Sequence, residues 1–228
     1  MTAIVFDLDG TLIDSAPDLR AAVNMMLTGE GQAPLDLATI TSFVGNGLPH
    51  LVKLAMGARA MDMTRAATLT QTVLEHYTAG NGALTTLYPD ARAVLHALHG
   101  DGHRLGLCTN KPIAPARDIL GHFGLTDLFS AVIGGDSLST RKPDPAPLRA
   151  TFEALGSTGI YVGDSEVDAE TARRAGVPFA LFTEGYRKTP VEDLPHTWSF
   201  TNFASLPGIV VQSQNAPVNA SAQTITRP

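Results

Sequence analysis

The sequence predicts an α/β fold in which a parallel sheet is interrupted, directly after its first strand, by an all-helical insert. Three observations lead to this prediction. The chain begins with a short apolar run, residues 3–6, that ends at two closely spaced carboxylates. Helical periodicity then continues to about residue 79. From residue 84 onward, predicted strands and helices alternate, which is typical of a parallel sheet.

Length and composition limit the classes of protein that the chain can belong to. Its 228 residues exceed a usual single domain but are few for two, so we expect one core domain with an insertion. A net charge of -6 argues against a nucleic-acid partner. No stretch approaches a membrane span, and the amino terminus enters a strand too early for a signal segment, which predicts a cytoplasmic protein without a membrane partner.

The first predicted strand, residues 3–6, ends at Asp7 and Asp9, and Gly10 lets the backbone turn away. Ligands of open parallel sheets bind beyond the carboxyl ends of the strands, so both carboxylates should face that crevice. Two neighbouring acids favour a hard divalent cation between them, and Mg²⁺ is the first choice. Asp7 could then attack phosphorus, with Asp9 as general acid and base. The alternative is a turn with capping carboxylates.

The helical insert is predicted to span residues 14–83. Proline and glycine interrupt its helical periodicity, giving helices at about 16–28, 36–43, 47–57 and 62–79. Between two of them, Asn46 lies between two glycines and could present backbone N–H groups to a substrate carboxylate, with His50 and Lys53 as possible partners. The alternative for this segment is a plain turn between helices.

The second half of the chain should complete the sheet. Candidate strands lie at 104–108, 131–133, 160–162, 179–182 and 198–200, and candidate helices at 89–99, 114–123, 145–155 and 167–175. The core domain is therefore predicted to comprise residues 1–13 and 84–211. Residues 212–228 are polar and lack periodicity, which predicts a flexible tail.

Three further strand ends carry groups that suit phosphate chemistry. Thr109 and Asn110 follow one strand, Lys142 lies between a strand and a helix, and Asp164 and Asp168 follow another strand. Taken singly, these residues are better explained as a helix cap, a solvated lysine and turn residues. Together with Asp7 and Asp9, they supply the acids, hydroxyl and ammonium that a phosphate and a cation require.

In this order the motifs resemble those of the haloacid dehalogenase superfamily, whose members carry D-x-D-G-T, Ser or Thr, Lys and G-D-x-x-x-D. Here these are Asp7-Leu8-Asp9-Gly10-Thr11, Thr109, Lys142 and Gly163-Asp164-Ser165-Glu166-Val167-Asp168. The resemblance implies a Rossmann-like core and a small helical cap. It also implies Mg²⁺ held by the Asp7 carboxylate, the Asp9 backbone carbonyl and Asp164. Thr109, Asn110 and Lys142 would bind phosphate, and Asp168 would orient Lys142 or a metal-bound water.

Within this superfamily, the segments 44–47, 109–112, 142–145 and 184–186 resemble bacterial phosphoglycolate phosphatases. Dehalogenating members lack the second Asp of the first motif, so Asp9 argues against that reaction. The resemblance implies a magnesium-dependent hydrolase of a small, carboxylate-bearing phosphomonoester, 2-phosphoglycolate. The sequence does not distinguish a monomer from a homodimer. The alternatives are another small phosphate, such as a sugar phosphate, a nucleotide or pyrophosphate, and a phosphate-binding module without turnover.

Overall fold

The computed structural model describes residues 1–80 and 82–215. Six of its strands form one parallel sheet, in the order β5-β4-β1-β6-β7-β8. The strands are β1 (Ala3–Phe6), β2 (Ile13–Asp14), β3 (Thr86–Leu87), β4 (Arg104–Cys108), β5 (Phe129–Ile133), β6 (Gly159–Gly163), β7 (Phe179–Phe182) and β8 (Trp198–Phe200). The parallel sheet that the alternating pattern predicts is thus confirmed.

The predicted helices are all present, with shifts of a few residues at their ends. They are α1 (Ala16–Gly29), α2 (Leu37–Thr41), α3 (Leu48–Gly57), α4 (Ala66–Gly80), α5 (Ala91–Gly100), α6 (Ile113–His122), α7 (Ala146–Ala154), α8 (Glu166–Ala175) and α9 (Leu206–Asn215). The start of the fourth predicted helix is a 3₁₀ turn, Met63–Arg65, capped by the Asp62 carboxylate. Among the described residues no helix is both long and apolar enough to cross a membrane.

Alternate residues of β1 face opposite sides of the sheet, as the two-residue period of a strand requires. Ile4 and Phe6 pack with buried residues of α5, α6 and α9. Ala3 and Val5 pack with buried residues of α7 and α8. The sheet is therefore covered by helices on both faces, and β1 lies at its centre.

Helices α1, α3 and α4 enclose an apolar cluster of their own, in which Val23, Met56 and Val73 are fully buried. The two segments that join these helices to the sheet lie side by side as the antiparallel pair β2 and β3, with Ile13 opposite Leu87. Strands of two residues carry too little periodicity for the sequence to predict them. The division of the chain into a core and a helical insert at residues 14 and 83 stays a prediction.

The carboxyl end of the core differs from the sequence-based expectation. Helix α9 was not predicted, and it extends to Asn215, so the predicted flexible tail is wrong for residues 212–215. Leu206, Ile209 and Val210 bury one side of this helix in the apolar core. This burial stabilises the helix although its last residues are polar. The remainder of the predicted tail, residues 216–228, lies outside the described residues.

Candidate active site

Three neighbouring strands bring the predicted site residues together. Strand β1 lies between β4 and β6, and Asp7, Thr109 and Asp164 each follow one of these three strands directly. All three side chains are buried. Because the strands are parallel, these residues meet at one edge of the sheet, where ligands of such folds bind.

Asp7 is a buried carboxylate that is only partly neutralised. Its Oδ1 lies 2.9 Å from the Lys142 ammonium. The angle does not suit a hydrogen bond, so Oδ1 has no hydrogen-bond partner among the described residues. Burial, and then repulsion by Asp168, raise the pKa of Asp7 from an ordinary 3.8 to about 7. A cation beside Oδ1 would favour the charged form.

Asp164 is fully buried beside the turn that follows β1. Its carboxylate accepts hydrogen bonds from Thr11 Oγ1 and from the backbone N–H of Tyr186, both at 2.7 Å. Burial, together with the Asp168 and Asp7 carboxylates, raises the pKa of Asp164 well above its ordinary value. Gly10 makes this approach possible, because its φ is +85° and a Cβ there would lie 2.4 Å from Asp164 Oδ2.

The acids of the site fit a divalent cation. Asp7, Asp164 and Asp168 each place a carboxylate oxygen within 4.8 Å of the other two. The Asp168 carboxylate is already occupied, since it accepts from Lys142 Nζ at 2.7 Å, from the Tyr161 hydroxyl at 2.6 Å and from Ser165 Oγ at 2.6 Å. The carboxylates best placed for a cation are therefore those of Asp7 and Asp164. Divalent cations such as Mg²⁺ prefer oxygen ligands of this kind.

Lys142 is a fixed positive charge beside the Asp7 carboxylate. Its ammonium donates to Asp168 and to the Tyr161 hydroxyl, and the residue is almost completely buried. Although burial disfavours the charge, Asp168 and Asp7 raise the pKa of Lys142 above its ordinary value. Lys142 is therefore charged at neutral pH. Asp168 accepts a hydrogen bond from it, which suits the first of the two roles that the resemblance implies for Asp168, to orient Lys142 or a metal-bound water.

Asn110 connects the site with the loop between α2 and α3. Its Nδ2 donates to the backbone carbonyls of Gly45 at 3.1 Å and Lys142 at 3.0 Å. These bonds use the side-chain amide hydrogens, so a phosphate contact by Asn110 would have to come from its backbone N–H. The neighbouring Thr109 hydroxyl oxygen accepts from the backbone N–H of Lys111 at 3.2 Å, which leaves its own proton available as a donor.

Lys111 is a site residue that the sequence analysis missed. Its ammonium lies 3.0 Å from Asp9 Oδ1 and 2.7 Å from the Tyr77 hydroxyl oxygen, and it is buried. Asp9 Oδ1 also accepts from Ser15 Oγ. Although burial disfavours its charge, Asp9 and Tyr77 raise the pKa of Lys111 above its ordinary value. Its position three residues after the end of β4 was the available signal, whereas nothing in the sequence pairs it with Tyr77.

A cleft that is partly open to solvent lies between the end of the sheet and the helical insert. Its polar lining is Asp7, Asp9, Tyr77, Thr109, Asn110 and Lys111, and glycines, prolines and aliphatic side chains form the rest. Asn46 lies between two glycines of this lining. His50 and Lys53 are exposed and are not part of it. Substrate contacts by Asn46, His50 and Lys53 therefore remain predictions, without support from the cleft.

A buried carboxylate, a group of acids that fits a cation and a buried ammonium at one sheet edge suit the transfer of phosphoryl groups, because this chemistry needs mainly positioning and charge neutralisation. Comparison with known proteins agrees with this chemistry. The sequence model of the haloacid dehalogenase-like hydrolases matches residues 4–182. The chain belongs to this family, whose hydrolases generally use a divalent metal.

Individual relatives are similar over almost the whole chain. A phosphoglycolate phosphatase of Cereibacter sphaeroides is 54% identical over 213 residues, which are 92% of this chain and 98% of the relative. One of Rhodospirillum rubrum is 45% identical, over 90% of this chain and 88% of its own. A crystal structure of a predicted phosphoglycolate phosphatase from Haemophilus somnus superposes with a TM-score of 0.87 at 30% identity, covering 92% of this chain and 97% of that one.

Proposed function

We propose that this protein is a magnesium-dependent phosphatase that hydrolyses 2-phosphoglycolate to glycolate and phosphate through an aspartyl-phosphate. The observation that carries the proposal is the environment of Asp7, whose buried Oδ1 lies beside Lys142 without a hydrogen bond and whose carboxylate lies close to that of Asp164. The substrate is taken from the relatives named phosphoglycolate phosphatase, the first of which is 54% identical to this chain.

In the first half of the reaction, an Asp7 carboxylate oxygen attacks phosphorus while the bond from phosphorus to the ester oxygen breaks. Asp9 gives its proton to that leaving oxygen, which releases glycolate. Thr109, Lys142 and the backbone N–H of Asn110 hold the phosphoryl oxygens during the transfer.

In the second half, Asp9 takes a proton from water, whose oxygen attacks the aspartyl-phosphate. The bond from phosphorus to Asp7 breaks, which restores both aspartates and releases phosphate. Mg²⁺, held by the carboxylates of Asp7 and Asp164 and the backbone carbonyl of Asp9, would neutralise negative charge on the phosphoryl group.

The helical insert, residues 14–83, serves in this proposal as a cap over the core formed by residues 1–13 and 84–211. Two of its parts support this role. Tyr77 of α4 reaches Lys111, and the Gly45 carbonyl accepts from Asn110, so the insert contacts the site directly. A closed cap would exclude bulk water from the reaction. The cytoplasmic location and the monomeric or dimeric state expected from the sequence belong to the same proposal.

The test is phosphate release from 2-phosphoglycolate with Mg²⁺ and with a chelator, beside sugar phosphates, nucleotides and pyrophosphate. We expect magnesium-dependent release with preference for 2-phosphoglycolate. Preference for another of these compounds would support the proposed reaction and refute 2-phosphoglycolate as the substrate. Absence of release from every compound would refute the catalytic assignment and favour a phosphate-binding module.

A further inference from the structure

We propose that the Lys111 ammonium binds the carboxylate of the substrate and thereby selects phosphorylated acids over neutral phosphate esters. This inference rests on the proposed function, because it assigns the second anionic group of 2-phosphoglycolate to a residue of the same cleft. The argument starts from the charges that line the cleft.

Among the described residues that line the cleft, Lys111 is the only cation. The wall that faces the sheet edge is aliphatic, with Leu19, Leu48, Leu51 and Leu74 from the helical insert. A carboxylate buried against such a wall loses its hydration and needs a partner of opposite charge. Lys142 contacts Asp7 and Asp168 and, in the proposed function, holds phosphoryl oxygens, so it serves the first anionic group. Lys111 is left as the partner for a second anionic group.

The ammonium of Lys111 also has one N–H group that the described contacts do not use. An ammonium carries three N–H donors, and the described contacts use two of them, to Asp9 Oδ1 and to the Tyr77 hydroxyl. Tyr77 fixes the group further, because Lys111 Nζ lies 4.4 Å from the centre of its ring. The third donor can bond to a carboxylate oxygen while the first two keep the side chain in place.

Thr109 and Lys111, which are proposed to bind the phosphate and the carboxylate of the substrate, are close together in the sequence. Thr109 follows β4 and binds phosphate in the proposed function, and Lys111 is two residues further along the same turn. The backbone of this turn is fixed, since the Lys111 carbonyl accepts from the Gly135 N–H at 2.8 Å. In 2-phosphoglycolate a single CH₂ separates the ester oxygen from the carboxylate. A short, fixed turn suits a substrate with two anionic ends so close together.

A different role for Lys111 is to orient Asp9 alone. The two roles differ in their effect on substrates, because an effect through Asp9 slows every phosphate ester, whereas carboxylate binding concerns only phosphorylated acids. The matched neutral substrate is 2-hydroxyethyl phosphate, which has an alcohol in place of the carboxylate and is otherwise built on the same two carbons.

The experiment compares kcat/KM for the two substrates, with Mg²⁺, in the wild type and Lys111→Met. We expect the ratio of kcat/KM for 2-phosphoglycolate to that for 2-hydroxyethyl phosphate to fall at least about 30-fold, the loss typical of a truncated buried charge pair. Lys111→Arg keeps the cation and should retain more of the preference. Lys188→Met, which removes an exposed lysine outside the cleft, should leave the ratio unchanged.

An equal loss for both substrates, or an unchanged ratio, would overturn the inference and assign Lys111 to the positioning of Asp9. Wild-type protein that does not hydrolyse 2-phosphoglycolate would overturn the proposed function and this inference with it, so the two failures are distinguishable. Circular dichroism checks the fold of each variant, and Lys111→Gln, judged by the same ratio, replaces the methionine variant if that variant is unfolded.

Discussion

Replacement of Asp7 by Asn should abolish turnover and, in metal-free protein above neutral pH, should stabilise the fold. Turnover is lost because an amide does not form the phosphoryl intermediate. The gain in stability follows from the raised pKa of Asp7, which means that the folded protein holds this charge at a cost. Asparagine has nearly the same size and no charge, so the variant avoids that cost.

The magnitude follows from the pKa. A carboxyl with a pKa of 3.8 in the unfolded chain and about 7 in the folded protein binds more protons when folded. Its contribution to stability is fully present below pH 3.8 and is lost as the pH rises through about 7. The difference is worth roughly 4 kcal/mol, at about 1.4 kcal/mol per pH unit. Asp7→Asn should therefore gain up to about 4 kcal/mol over wild type at pH 8 and almost nothing near pH 3.8.

The assay is urea unfolding in the presence of a chelator at pH 4 and pH 8, followed by the fluorescence of the single tryptophan. The control Asp118→Asn removes an exposed carboxylate and should change stability little at either pH. Adding Mg²⁺ at pH 8 should stabilise wild type far more than Asp7→Asn, because the variant lacks the carboxylate ligand. A variant that is less stable than metal-free wild type at pH 8, or that retains turnover, would refute the reasoning.

Two further variants test other parts of the site. Asp9→Asn should lose most of the turnover while its Mg²⁺ affinity, measured by the thermal shift, stays close to wild type, since the proposed metal contact of Asp9 is its backbone carbonyl. Normal turnover in this variant would refute its acid and base role. Gly10→Ala should weaken Mg²⁺ binding and lower stability by about 1–3 kcal/mol, because a Cβ at a positive φ would displace Asp164. Gly176→Ala is the matched control, with a φ of +71° and nothing within 4 Å of the added Cβ, so it should lose stability and keep its metal.

The sequence was informative where function depends on position along a strand. Asp7, Thr109 and Asp164 each directly follow a predicted strand, which is enough to place them at the same edge of a parallel sheet, and they are adjacent because β1 lies between β4 and β6. Lys142 was also predictable, although its partner Tyr161 lies within β6 and carries no such signal.

What the sequence did not predict depends on packing between distant segments. The contact of Lys111 with Tyr77 requires that α4 lie over the sheet edge, which no local pattern specifies. For the same reason His50 and Lys53 were candidates on charge alone, and their exposure became visible only when α3 was placed. Helix α9 was missed because its carboxyl-terminal residues are polar, so the apolar residues that the core buries form too short a pattern to predict a helix.

The loop after β7 connects the Asp164 carboxylate with the start of α1. The backbone N–H of Tyr186 donates to Asp164, while its hydroxyl accepts from the N–H groups of Ser15 and Ala16 and donates to Asp14 at 2.6 Å. The same residue therefore fixes a carboxylate of the site and the point where the chain enters α1. Because the contacts of Tyr186 with Asp164, Ser15 and Ala16 are buried, we expect a displacement of Asp164 to disturb the entry to α1 through this side chain.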